Sequence, residues 1–197
     1  MTSTPLVRIG LVEDHQVIGV GLAEVLRREP GWSLVVTVRS VEELHVADGN
    51  LDLVLLDLHL DDGSAPGDNV RTLTAAGVPV LAYTAGEDPT LLRAAARAGV
   101  LGIVRKSDGF EHLVNAIRVA IGGETVPSAD WAAALDSDSD IADAKLSQRE
   151  REVLALYASG ETAAGVAELM GLSRDTVSNY VGRIRAKYAS VGRAAAT

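Results

Sequence analysis

Leu51-Asp52-Leu53-Val54-Leu55-Leu56-Asp57-Leu58 is the stretch on which the fold turns. Residues 51–56 are almost continuously aliphatic, as a strand covered on both faces would be, whereas a strand with one wet face would alternate. Moving outward, residues 7–12 and 32–38 upstream and 79–83 and 102–104 downstream are further short apolar runs. Amphipathic stretches at 17–27, 41–47, 69–76, 90–98 and 111–121 separate or follow them. Five strand–helix repeats in about 115 residues predict an α/β domain, an open doubly wound five-stranded parallel sheet with helices on both faces.

The chain has 197 residues, enough for one large or two small domains, and 47% of them are hydrophobic. It contains no cysteine, which excludes disulfide frameworks, thiol nucleophiles and cysteine-based metal sites. The first residues lack the basic-then-apolar pattern of a signal peptide, and no apolar run approaches the ~20 residues of a membrane helix. The expectation is a cytoplasmic protein without a membrane partner. Net charge is −9, unevenly spread: ten basic and 22 acidic residues lie in 1–144, eight basic and five acidic in 145–197. An acidic body would repel DNA, and a mildly basic end suggests a second unit with a nucleic-acid partner.

Residues 123–144 lose the pattern. Gly122-Gly123 ends the last amphipathic stretch, and Asp136-Ser137-Asp138-Ser139-Asp140 reads as a solvated linker. From 145 the pattern is helical. Ser147-Gln148-Arg149-Glu150 has the form of a capping box, opening a helix that Gly160 stops. A second helix over 162–170 turns at Gly171, and Ser173 caps a third over 174–189. Val177, Val181, Ile184 and Tyr188 fall on one face of that third helix. This is a small all-α helix-turn-helix unit.

Ligands of an open α/β sheet bind at the carboxyl ends of its strands. Glu13 and Asp14 close the first strand, Asp57 the third, Thr84 the fourth and Lys106 the fifth. Three carboxylates packed together repel unless neutralised, which makes the cluster a hard-cation site of the Mg²⁺ type. A carboxylate beside such a cation can attack a phosphoryl group and form an acyl phosphate. Thr84 and Lys106 could then bond its outer oxygens.

Val12-Glu13-Asp14-His15, Leu55-Leu56-Asp57-Leu58, Tyr83-Thr84-Ala85 and Arg105-Lys106-Ser107 resemble the receiver domain of bacterial two-component response regulators. Leu146 to Leu154 and Ser173-Arg174-Asp175-Thr176-Val177-Ser178-Asn179-Tyr180 are similar to the LuxR-type helix-turn-helix. That pairing resembles the NarL/FixJ subfamily over nearly the whole chain. The resemblance implies a flavodoxin-like receiver over 5–122, a linker over 123–144 and a DNA-binding domain over 145–197. It implies that Asp57 is the phosphoacceptor, that Glu13, Asp14, Asp57 and the His59 backbone carbonyl hold Mg²⁺, and that Thr84 and Lys106 sense the phosphoryl group. It further implies a sensor histidine kinase as donor, promoter DNA as target and a homodimer on phosphorylation. His15, His45 and His112 receive no role.

The pattern departs in several places. Ile103 stands where receivers usually carry an aromatic that rotates with the Thr, so packing or backbone must transmit the switch. Asp61-Asp62 before Gly63 reads as a solvated turn beside the site. Ser178, Asn179 and Gly182 occupy groove-facing positions where Lys or Arg is frequent, leaving Arg174, Arg183 and Lys187 for phosphates. Fewer phosphate contacts predict modest affinity per monomer. A fourth helix, expected after Arg193, has only four residues in which to form. The sequence carries no P-loop. The leading expectation is a phosphorylation-switched transcription regulator and not an enzyme. The alternatives are a phosphorylation-independent adaptor whose switch has decayed, and an aspartyl-nucleophile phosphohydrolase. The latter is disfavoured because His59, not a carboxylate, lies two residues after Asp57.

Overall fold

The structure is a computed structural model that describes residues 6–47, 50–86, 88–138, 142 and 144–195. The elements run β1 (Val7–Val12), α1 (Gln16–Leu26), β2 (Trp32–Val38), α2 (Val41–Ala47), β3 (Leu53–Leu56), α3 (Pro66–Ala75), β4 (Val80–Thr84), α4 (Pro89–Ala98), β5 (Ile103–Arg105) and α5 (Phe110–Ile121). Then come α6 (Ala129–Asp136), α7 (Gln148–Ala158), α8 (Ala163–Met170) and α9 (Arg174–Ala195). The five strands form one parallel sheet in the order β2-β1-β3-β4-β5.

β3 is wholly buried, and its period-2 alternation sends its side chains into two cores. Leu53 and Leu55 join Ile9, Leu11, Leu81 and Val104 beneath α1 and α5. Val54 and Leu56 join Val12, Val80, Ala82 and Ile103 beneath α2 to α4. The second core does not stop at the sheet and its helices. It runs on through Trp131 and Leu135 of α6 to Val153, Val177, Val181 and Ile184, so the sheet and the helical unit share apolar interior.

The linker expectation is corrected here. Residues 129–136 form a helix, capped by the Ser128 hydroxyl accepting from the Trp131 amide at 3.2 Å. Trp131 is fully buried between α4 and α7. Asp138, expected in solvent, is 5% exposed because Arg97 of α4 and the Tyr188 hydroxyl of α9 both bond its carboxylate. A buried carboxylate is tolerated when cation and donor satisfy it, and only the folded chain brings those partners together. Ser139 and Asp140 of the same stretch lie outside the described residues.

The segment before α6 lies along β5. The Val126 amide donates to the Leu101 carbonyl at 2.7 Å, and Gly102 and Val126 form a parallel bridge. Only glycine fits there, because a methyl group on Gly102 would overlap the Val126 carbonyl. Beyond it the Ser128 hydroxyl donates to the Ile103 carbonyl at 2.9 Å, and Arg105 grips Asp130 with Nε and Nη2 at 2.5 and 2.6 Å.

The capping box at Ser147 and Glu150 forms as expected, and Gly171 takes the left-handed conformation that ends α8. The third helix is longer than expected. α9 continues as one helix to Ala195, through the region where a fourth was anticipated, and its far end rests on α4. Gly192 makes this approach possible, since a Cβ there would lie 2.5 Å from the Arg97 carbonyl oxygen.

Candidate phosphorylation site and nucleic-acid interface

Parallel strands deliver their carboxyl ends to one edge, and the predicted residues meet there. Glu13 follows β1, Asp57 follows β3, Thr84 ends β4 and Lys106 follows β5. Their exposures are 2% for Glu13, 4% for Asp57 and 1% for Thr84, so the sheet encloses the groups that define the site. The Lys106 ammonium donates to Asp57 Oδ2 at 2.6 Å and stands 2.5 Å from Glu13 Oε2. Burial alone would lower its pKa, but the bonds to Asp57 and Glu13 outweigh this and raise it, so Lys106 is held charged. The Lys106 amide donates to the Thr84 carbonyl at 2.9 Å, tying both phosphate-sensing candidates to one backbone. The Thr84 hydroxyl accepts from the Gly86 amide at 3.1 Å.

Asp14 lies on the rim, where its Oδ2 accepts from the Asp61 amide at 3.1 Å. Burial pushes its carboxyl up, while the Asp61 bond and the neighbouring His15 hold it below the usual carboxylate range. Asp62 serves the turn, accepting from the Ser64 amide at 2.8 Å and from its hydroxyl at 2.6 Å. His59 is exposed, and its amide donates to Asp57 Oδ1 at 3.1 Å.

Sequence reasoning left His15 without a role, yet its ring Nδ1 lies 2.9 Å from Glu13 Oε1 and 2.6 Å from Asp14 Oδ1. The bond to Glu13, followed by the charges of Asp14 and Glu13, raises its pKa. The adjacency of His15 to the acid pair was the available signal. Tyr83 is a second omission, with its ring centroid 6.0 Å beneath the Lys106 ammonium. Ligand atoms of Glu13, Asp14, His15 and Asp57 all lie within 4.8 Å of one another. Buried Glu13 Oε2 and Asp14 Oδ1 face the Lys106 ammonium and the His15 ring without an aligned hydrogen bond. Oxygen donors with spare lone pairs fit a hard divalent cation such as Mg²⁺.

The second site is α9. Val177, Val181, Ile184 and Tyr188 face the core as the spacing predicts. Ser178, Asn179 and Gly182 line one side of a cleft of about 560 Å³, and Gly123, Glu124 and Thr125 line the other. The Ser178 hydroxyl donates to Glu124 Oε2 at 3.2 Å. Thus the face expected to read bases looks toward the chain that leaves α5. Arg174 is exposed at the start of α9, and Arg183 stacks on Tyr180 at 5.0 Å while donating to the Asn179 carbonyl. Lys187 is committed inside the helical unit, 2.7 Å from Glu150.

The family model described as response regulator receiver domain matches residues 9–118, and that of bacterial regulatory proteins of the luxR family matches residues 144–197. The chain is 26% identical over 184 residues to the transcriptional regulatory protein DesR of Bacillus subtilis, covering 92% of this chain and 90% of DesR. It is 31% identical over 196 residues to the DNA-binding transcriptional activator DevR/DosR of Mycobacterium tuberculosis, covering 92% and 88%. The fold is similar to that of the RcsB response regulator of Salmonella typhimurium, with a TM-score of 0.60, 19% identity, and 94% and 93% of the two chains covered. A β-sheet edge gathering Asp57 with its acids and Lys, joined to a LuxR-type helix-turn-helix, places this chain in the response regulators of the NarL/FixJ type.

Proposed function

We propose that this response regulator is switched by phosphorylation of Asp57 and that the structure is its resting, closed form. The donor is the phosphohistidine of a sensor kinase. An Asp57 oxygen attacks phosphorus, the phosphorus–nitrogen bond breaks, and the histidine nitrogen leaves with the bond's electron pair and takes up a proton. Glu13, Asp14, Asp57 and the His59 carbonyl would hold Mg²⁺, which would supply charge neutralisation at this site. Lys106 and the Thr84 hydroxyl then bond the transferred group; the hydroxyl accepts from the Gly86 amide and keeps its own proton to donate.

The observation that carries the closed reading is the position of Ser178, Asn179 and Gly182, whose face of α9 lies against the receiver side of the molecule. A duplex entering along this face would meet Gly123, Glu124 and Thr125 across the cleft, so we read promoter DNA and the present arrangement as competitors. We assign 5–122 to the receiver, 123–144 to a structured connector and 145–197 to the DNA-binding unit, and read the chain as a regulator and not an enzyme. We place its action on DNA in the cytoplasm; no described helix is long and apolar enough to cross a membrane.

The test is molar mass and hydrodynamic radius of the full chain with Mg²⁺, with and without beryllofluoride, an analogue of the phosphoryl group. The expected result is an expansion and a shift from monomer to homodimer, lost in Asp57→Asn. Gly192→Val, which forces α9 off α4, should expand the chain without the analogue. If the analogue binds and neither radius nor mass changes, the phosphorylation-independent adaptor takes precedence.

A further inference from the structure

β5 is a three-residue strand at the end of the sheet, and such an edge ordinarily presents unpaired carbonyls and amides to solvent. Here the connector takes up that edge at every second residue. The Leu101 carbonyl receives the Val126 amide, the Ile103 carbonyl receives the Ser128 hydroxyl, and the Arg105 guanidinium is held by both carboxylate oxygens of Asp130. The next residue on one side, Lys106, is the ammonium that bridges Asp57 and Glu13. The next residue on the other side, Trp131, is locked in the core shared with the DNA-binding unit. One ion pair therefore stands a single residue from the phosphoacceptor's lysine and a single residue from the anchor of the output domain.

From this geometry we infer that Asp130 is a positioning residue of the phosphorylation site. By gripping Arg105 it fixes the end of β5 and keeps Lys106 on the two carboxylates. The inference rests on the phosphorylation reading above and specifies how that site is regulated. Lys106 now occupies oxygens that a cation needs on Glu13 and Asp57, so a cation and a phosphoryl group bonded to Asp57 fill the site together only as its ammonium leaves Glu13. To bond that group Lys106 must move outward. Its amide carries Thr84 with it, and its neighbour Arg105 pulls on Asp130. The pair and the phosphoryl group thus oppose one another. Linkage makes the opposition reciprocal: the factor by which breaking the pair tightens the filled site is the factor by which filling the site loosens the pair.

The experiment uses the full chain carrying Trp32→Phe, which leaves Trp131 as the one remaining indole. Mg²⁺ and beryllofluoride are titrated while Trp131 emission is read, with calorimetry as a second measure of affinity. Asp130→Asn should bind the analogue about three- to tenfold more tightly than its parent, the range for a partly exposed bidentate pair. Asp130→Glu, which keeps the charge, should return affinity toward the parent. Arg105→Gln breaks the same pair from the receiver side, and combining it with Asp130→Asn should add nothing further. Melting curves show that each variant is folded, and Arg105→Gln carries the test if Asp130→Asn is not. Equal affinity in Asp130→Asn, Arg105→Gln and parent would overturn the proposal, whether Trp131 emission changes, which makes the pair a tether, or stays constant, which makes it idle. A parent chain with no Asp57-dependent response to beryllofluoride would overturn the phosphorylation reading itself, and the proposal with it.

Discussion

The sheet has two edges, and they are treated differently. Every residue of β2 is partly exposed or exposed, and among the described residues only β1 pairs with it. Ile103 and Val104 of β5 are buried, and its outer side is sewn to the connector from Val126 to Asp130. Two edges of one sheet need the same protection from water and from other chains. At β2 partial burial and short flanking helices supply it. At β5 a segment of the output side supplies it, one residue from the phosphoacceptor's lysine. An edge strand can therefore serve as the coupling between domains, because covering it is already required.

The largest expected effect contrasts the two tryptophans. Trp131→Ala should cost about 3–5 kcal/mol, as truncation of a fully buried aromatic does. Trp32→Ala on the open edge, where the ring is partly exposed beneath Arg118, should cost about 1–2 kcal/mol. Urea titrations of both variants measure this, and equal losses would break the contrast. Next is Asp138→Ala, which leaves the Arg97 guanidinium and the Tyr188 hydroxyl without their shared acceptor. We expect about 2–3 kcal/mol, below the fully buried range because the Arg97 side chain keeps 29% of its surface. Limited proteolysis should show the connector cut faster in this variant while the β2 edge is unaffected.

The smallest effect is one of pH and belongs to the output unit alone. Burial pushes the Glu150 carboxyl up, but its bonds to Lys187 and Ser147 hold it below the ordinary 4.5. A depressed folded value means that the stabilisation is present above pH 4.5 and is lost as pH falls through the folded value. Thermal melts below pH 4.5 should therefore show the helical unit weakening, with a shallower acid dependence in Glu150→Gln. An unchanged acid slope in that variant would remove Glu150 from the account.

Most of the strand–helix order was legible because burial on both faces leaves a continuous apolar run, as in residues 51–56, and because strand ends are punctuated by charge. Glu13, Asp57, Thr84 and Lys106 could be gathered on one edge for the same reason: parallel topology alone brings strand ends together. Residues 129–136 were illegible for a physical reason. A helix whose exposed positions 129 and 133 are alanines, beside buried Trp131, Ala132, Ala134 and Leu135, has little polar stripe to betray its period. Asp138 sat in an acidic run that composition assigns to solvent, and its partners are 41 and 50 residues away in the chain. The sequence reading ended the third helix near residue 189, whereas Gly192, lacking a Cβ, lets α9 run on in contact with α4.

The crowding of Gly102 against Val126 bears on how such proteins can be recombined. A chimera that joins this output unit to a foreign receiver at residue 122 would separate the connector from the one strand shaped to accept it. The graft would carry an orphaned helix with an indole ring seeking a core. A working exchange should instead take β5, the connector and α6 as a single cassette, so the unit of inheritance here is larger than either domain.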